Sequence, residues 1–166
     1  EGPINNWEFN GITSDVAIKG FGGVILYSTA PNKTAETIGN IMGLKKIADD
    51  ESFTRFQASG SLGNIIDIKK TTSQLGVIGT GTVHHIAWRA EHDNDQLDWQ
   101  QHVRHHGYHV TPVQDRNYFN AIYFREYGRI LFEIATDPPG FSVDEPHDSL
   151  GERLMLPEQY EPHRSQ

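Results

Sequence analysis

The 166-residue sequence contains no cysteine, so neither disulfides nor thiolate metal sites can contribute to its stability or chemistry. No apolar run approaches the roughly 18 residues that would cross a bilayer as a helix, and no secretory signal is visible. A cytoplasmic protein without a membrane partner is expected. Basic residues are in deficit, with 14 Lys and Arg against 22 Asp and Glu, for a formal charge of −8. Nucleic-acid binding draws on cations that neutralise phosphates, and no local basic patch stands out, so nucleic acid is not an expected partner. The glycines at 20, 22 and 23 match neither GxGxxG nor GxxxxGK, which removes the common phosphate loops. No Ser-His-Asp arrangement can be picked out.

What remains is an ordinary balance of 36% hydrophobic and 22% charged residues, in a chain long enough for one domain or two small modules sharing a core. The chain begins Glu1-Gly2-Pro3 rather than with Met, and is expected to belong to something longer. Histidine is plentiful, with nine. Any metal site must therefore use imidazole and carboxylate.

Residues 1–17 show no sustained periodicity and are expected to form a linker or arm. Ile18–Tyr27 reads as an apolar strand. Pro31 opens a helix with Ile38, Ile41 and Met42 on one face, and Gly43 sits where a left-handed C-cap is wanted. Strands are expected at Phe53–Gln57 and Asn64–Ile68. The order then repeats. Thr82–Ala90 reads as a strand, Asn94 as the N-cap of a helix ending before Gly107, and Phe119–Arg125 with Ile130–Thr136 as a hairpin around Tyr127-Gly128. That second helix is weakly amphipathic, with Leu97 and Val103 its clearest apolar positions.

The halves align: Gly23 with His85, Gly43 with Gly107, and Asp67 with Glu133. The pattern predicts an α+β fold of two tandem modules, each β-α-β-β with room for one more strand, about 18–70 and 82–137. One domain would span 18–137, followed by a wrapping tail over 138–166.

The chemistry-bearing residues lie in the second module. Adjacent side chains in a strand face opposite ways, so Val83, His85, Ala87 and Arg89 share one face and His84, Ile86 and Trp88 the other. The second set is bulky and suits packing on a helix, which leaves His85 as the better ligand, although paired histidines are more often ordinary half-buried side chains. Glu133 sits in the apolar strand RILFEIAT, where a carboxylate is costly unless paired or metal-bound; a salt bridge to an Arg would also satisfy it. Together, a His and a Glu on neighbouring strands form part of a two-His-one-carboxylate site, suited to Fe(II) and also to Mn(II), and with a fourth ligand to Ni(II) or Zn(II). Arg116 and Tyr123 could orient a phenolate or stabilise developing negative charge, although an Arg paired with Asp115 and a Tyr in a sheet are both commonplace. His102, His105, His106 and His109 crowd one helix end. The i, i+4 pair His102 and His106 reads first as a solvated face.

The segments GTVHHIAWR (81–89), DRNYFNAIYFREYGRILFEIATDPPGFSVDEP (115–146) and LGERLMLPEQYEPHR (150–164) resemble ring-cleaving dioxygenases of the glyoxalase/bleomycin resistance/dioxygenase group. The resemblance is to the hydroquinone-cleaving branch, which includes chlorohydroquinone dioxygenases, and covers nearly the whole chain. It implies two βαβββ modules in tandem forming an open cup-shaped mixed sheet with helices outside, around a metal, with Fe(II) held by His85 and Glu133 and a substrate site lined by His84, Arg116 and Tyr123. The partners it implies are a small dihydroxy-aromatic substrate and dioxygen, and a homo-oligomer is compatible with it. The family's third ligand is a His in an HHxT-like strand of an N-terminal domain, whereas this chain has Gly22-Gly23 at the matching place. It therefore resembles a C-terminal half. The third ligand is expected from a missing N-terminal domain, with Asp67 the alternative. Two other readings stay open: a glyoxalase-like isomerase or transferase using another metal, and a non-catalytic domain with an incomplete site.

Overall fold

A computed structural model describes residues 8–165. The part of the expected arm that covers residues 1–7 lies outside the described residues. The chain forms two four-stranded mixed sheets with few helices, an α+β architecture of two tandem modules. The contacts divide it into one unit of residues up to Thr82 together with Glu126–Ile130, and a second of Val83–Arg125 with the residues from Leu131 on. No helix among the described residues is long and apolar enough to cross a membrane.

In the first unit β1 (Gly23–Leu26) runs parallel to β4 (Ile65–Lys69), which pairs antiparallel with β3 (Phe53–Gln57), and β3 with β2 (Lys45–Asp49). The order is β1-β4-β3-β2. Helix α1 starts at Pro31, where a missing N–H costs nothing, and runs to Glu36 before widening into a π turn over Thr37–Ile41. Ile38 and Met42 are buried as expected. The first strand is shorter than the Ile18–Tyr27 read from sequence. The strand β2 was not anticipated, because KKIAD has no alternation and all five residues are exposed.

The second unit repeats the order as β5-β8-β7-β6. Its strands are β5 (Ile86–Arg89), β6 (Gln114–Asp115), β7 (Asn120–Arg125) and β8 (Leu131–Ala135), with helix α2 (Asp93–His105) between β5 and β6. Again the first and last strands are parallel and the rest antiparallel. Gly43 and Gly107 both adopt positive φ just past their helices, 75° and 86°, the left-handed stop their spacing predicts.

Helix α2 corrects two expectations. Its N-cap is His92, whose Nδ1 accepts from the Asp95 N–H, not Asn94. Leu97 is 43% exposed, and the buried face is Gln96, Gln100 and Val103. These glutamines belong in the interior because their amides bond backbone carbonyls there: Gln96 Nε2 donates to Ile134 O and Asn120 O, and Gln100 Nε2 to Thr111 O. Around them Trp88, Phe132, Phe124 and Tyr108 contact one another in sequence, with ring centroids 5.2–5.4 Å apart. Phe132, Phe124, Ile122 and Ile134 are almost wholly buried, so one face of the sheet is committed to this core. The other face is left for chemistry.

Candidate functional site

Strand β8 sets the geometry. Phe132 and Ile134 enter the core, so the residue between them, Glu133, must point to the opposite face. Pairing places Ala87 beside Glu133 on one side and Tyr123 on the other. Ala87 has only a methyl group, which keeps bulk away from the carboxylate. His85, two residues before Ala87, lies on the same face. Its Nε2 is 2.9 Å from Glu133 Oε2. Glu133 is 3% exposed and His85 35% by side chain, so a nearly buried carboxylate meets an imidazole that solvent can reach.

Tyr123 completes the cluster. Its ring meets that of His85 edge-on, with centroids 6.3 Å apart, and strand pairing sets it beside Glu133. Arg116 Nε donates to the Tyr123 hydroxyl at 3.2 Å, and the guanidinium lies 5.5 Å from the ring centroid, a cation-π contact. Desolvation raises the Tyr123 pKa above the usual phenol value, and the Glu133 charge adds to the rise while Arg116 opposes it. Tyr123 therefore stays a hydroxyl at neutral pH and can donate a hydrogen bond.

His84 falls where simple alternation did not put it. The strand begins only at Ile86, so residues 84 and 85 are not held to the pleat. His84 is exposed and its Nδ1 is 2.9 Å from His85 Nδ1, with the two rings edge to face. The structure thus brings together all five residues singled out from sequence. Arg116 does not pair with its neighbour Asp115, which instead accepts from the Asn117 N–H.

The donor set can be tested against a metal. Two cis ligands with bonds of about 2.1 Å at right angles lie about 3.0 Å apart. The His85–Glu133 separation of 2.9 Å matches that, with a ring nitrogen and a carboxylate oxygen facing each other. The same distance also suits a direct ion pair, so metal content decides between them. Among the described residues no group of three or more His, Asp or Glu converges. The described residues thus offer two candidate donors here, one fewer than a two-His-one-carboxylate set uses.

The first module shows what the same positions become without that chemistry. By strand register, Gly23, Ile25, Arg55 and Asp67 correspond to His85, Ala87, Tyr123 and Glu133. Arg55 Nε and Nη2 take both oxygens of Asp67, each at 2.7 Å. Both oxygens are thus already engaged, which weighs against Asp67 as the missing ligand. A Cβ at Gly23 would run into the Ile65 backbone, so no His fits there.

Sequence reading missed Glu126, which belongs to the first unit and is buried. It accepts hydrogen bonds from the Thr34 hydroxyl, Gly128 N–H and Ile130 N–H. A carboxylate one residue before a Tyr-Gly turn was the available signal.

Residues 20–144 match the profile of the Glyoxalase/Bleomycin resistance protein/Dioxygenase superfamily. The chain is 61% identical over its full length to "Putative ring-cleaving dioxygenase MhqO" of Bacillus subtilis (strain 168), of which it covers 53%. Against the Chlorohydroquinone/hydroquinone 1,2-dioxygenase of Sphingobium indicum it is 25% identical, with 97% of this chain and 51% of that protein aligned. The chain thus spans about half the length of the curated relatives it matches. A crystal structure of a dioxygenase-named protein from Bacillus subtilis superposes with a TM-score of 0.95 at 61% identity, over 99% of this chain and 53% of that one. The fosfomycin resistance protein FosX of Listeria monocytogenes, complexed with Mn(II) and sulfate, shares the fold at a TM-score of 0.60 and 22% identity, over 74% of this chain and 94% of that one.

Proposed function

The chain belongs to the Glyoxalase/Bleomycin resistance protein/Dioxygenase superfamily, and on that premise we propose that it is the catalytic portion of an Fe(II)-dependent, extradiol-type dioxygenase that opens hydroquinone- or catechol-like rings. The observation that carries this reading is the meeting of His85 Nε2 and Glu133 Oε2 at 2.9 Å, on a sheet face that also presents Tyr123 and Arg116. The ring-cleaving names of its relatives agree with it.

His85 and Glu133 would hold the metal, and a third ligand would come from the portion of its relatives' length that this chain does not span. When bound, Fe(II) supplies the redox chemistry by which dioxygen reacts with an electron-rich ring. The residues of this chain prepare the substrate. Arg116 places fixed positive charge beside Tyr123, so a deprotonated ring hydroxyl is attracted there. The Tyr123 hydroxyl donates to an oxygen that gains negative charge as the ring opens. His84 is solvent-exposed and within hydrogen-bond distance of His85, and it moves a proton between the substrate hydroxyl and water. Its contact at His85 Nδ1 also keeps the Nε2 side of that ring turned to Glu133.

A second reading, a domain that does not turn substrate over by itself, is favoured for the chain in isolation by its two-ligand count among the described residues. One experiment separates the two. The 166-residue chain is loaded anaerobically with Fe(II), mixed with hydroquinone or chlorohydroquinone, and given oxygen, with and without the remaining half of the protein. Oxygen uptake with loss of ring absorbance only on mixing is expected. Full activity of the chain alone would reject an outside ligand. Oxygen-independent turnover with Ni(II), Zn(II) or Mn(II) would replace the dioxygenase with an isomerase or transferase.

A further inference from the structure

The last turn of α2 carries imidazoles that the reading above does not use. His102 and His106 stand four residues apart on one helix face, the spacing at which two side chains reach one ion. Their ring centroids are 4.6 Å apart and the rings are tilted by 53°. Both residues are exposed. Spacing alone is met on many solvated helices, but the local bonding adds something specific. His106 Nδ1 lies 2.9 Å from the carbonyl oxygen of His102. A carbonyl can only accept, so Nδ1 carries the proton, and the neutral ring keeps its lone pair on Nε2. A backbone carbonyl holding one ring nitrogen so that the other is basic is the support that metal-binding histidines usually have.

The position favours a cation for a second reason. His106 is the C-cap of a 13-residue helix, and its backbone N–H is shared between the His102 and Val103 carbonyls. The carbonyl end of a helix concentrates partial negative charge, which attracts positive charge within the last turn. The His102 ring is steadied by the Trp99 ring, edge to face at 5.5 Å. No third protein donor joins them among the described residues.

We propose that His102 and His106 form a two-point surface site for a divalent transition cation that prefers imidazole, with water completing its shell. Cu(II) binds most tightly, and Ni(II) and Zn(II) more weakly. The site is independent of His85 and Glu133, so the protein has two places for metal, and a bulk metal analysis counts both.

The test uses the full chain carrying His85→Gln to silence the other site, stripped with chelator and titrated with Cu(II) by calorimetry near pH 7.5, above the ordinary imidazole range. One equivalent is expected. Adding His106→Gln or His102→Gln should weaken binding by about tenfold or more through loss of the second attachment point, whereas His105→Gln should change it less than about twofold. Gln keeps an amide at the helix end, and circular dichroism checks that the helix persists. Equal binding in the His106→Gln and His105→Gln proteins would overturn the proposal. So would nitrogen-15 ring shifts showing the metal-free His106 proton on Nε2, a measurement that needs no variant to fold.

Discussion

Replacing Gly128 with Ala should be among the most damaging single-methyl changes in this protein. Gly128 closes a buried polar cluster: Ser28 Oγ and Thr34 Oγ1 share a hydrogen bond of 2.7 Å, and Thr34 Oγ1 donates to Glu126 Oε2 at 2.9 Å. Glu126 in turn accepts from the Gly128 and Ile130 N–H groups at 2.7 and 2.9 Å. A Cβ at residue 128 would lie within 3.0 Å of Ser28 Oγ, Thr34 Oγ1 and Glu126 Oε1 together. None of these is the loose end of a flexible side chain, because each is fixed by the others. Overpacking costs about 1–3 kcal/mol, and displacing a hydrogen bond to a buried carboxylate about 1.5–3 kcal/mol more. A loss of roughly 3–5 kcal/mol follows, a large share of the roughly 5–15 kcal/mol that holds most domains. In a chain of this size it should lower the melting temperature by roughly 6–20 °C. The assay is urea denaturation with a thermal melt, and Gly76→Ala is the control, since a Cβ there meets nothing within 4 Å. A Gly128→Ala protein within about 0.5 kcal/mol of wild type would refute the argument that the cluster cannot yield.

Three further outcomes are expected. On the dioxygenase proposal, with the portion that supplies the third ligand added, Tyr123→Phe should cut turnover by roughly a hundred- to a thousandfold, the range for losing one donor to a developing charge, while iron content by metal analysis stays within about twofold; equal losses would make Tyr123 a support for the ligands. Gln96→Ala removes the amide's bonds to Ile134 O and Asn120 O, the latter still accepting from the Thr136 N–H, and should cost about 1–3 kcal/mol in denaturant titration. Hydrogen bonds from Arg55, with its charge assisting, hold the Asp67 carboxyl below its usual range against desolvation. A lowered folded-state pKa gives stability that is complete above the unfolded value of about 3.9 and lost as pH falls through the folded value. The gap between wild type and Arg55→Gln, about 1 kcal/mol or less for a half-exposed pair, should therefore be flat near neutrality and close below about pH 4. A gap that widens on acidification would contradict this.

Legibility in the sequence followed the strength of the local signal. Strand β3 was readable to its ends because its side chains alternate between core and surface, and the β7–β8 hairpin to within a residue because two apolar runs flank Tyr127-Gly128. The strand β2 was invisible because an edge strand exposed on all sides has no pattern to show. The buried face of α2 was misread for a different reason. Gln96 and Gln100 are polar by composition, and only the location of the carbonyls they satisfy explains their burial. His85, Glu133 and Tyr123 could be assigned to one face by counting along strands. The position of His84 could not, since it depends on where pairing starts, and pairing begins one residue after His85.

The two modules offer an internal comparison. Each places a carboxylate at the middle of its last strand, opposite a residue of the neighbouring antiparallel strand: Asp67 against Arg55, and Glu133 against Tyr123. Arg55 neutralises Asp67 through two hydrogen bonds, which uses both oxygens and leaves no charge for a ligand. Tyr123 is neutral. It sits beside Glu133 without cancelling its charge, so the carboxylate still seeks a cation, and His85 is the group placed to share it. The parallel strand follows the same division. In the first module Gly23 packs so closely on Ile65 that no side chain fits, whereas in the second the equivalent position carries an imidazole. A charged partner closes one carboxylate and a neutral partner keeps the other available, and that difference confines this chain's candidate metal chemistry on its sheets to the second module.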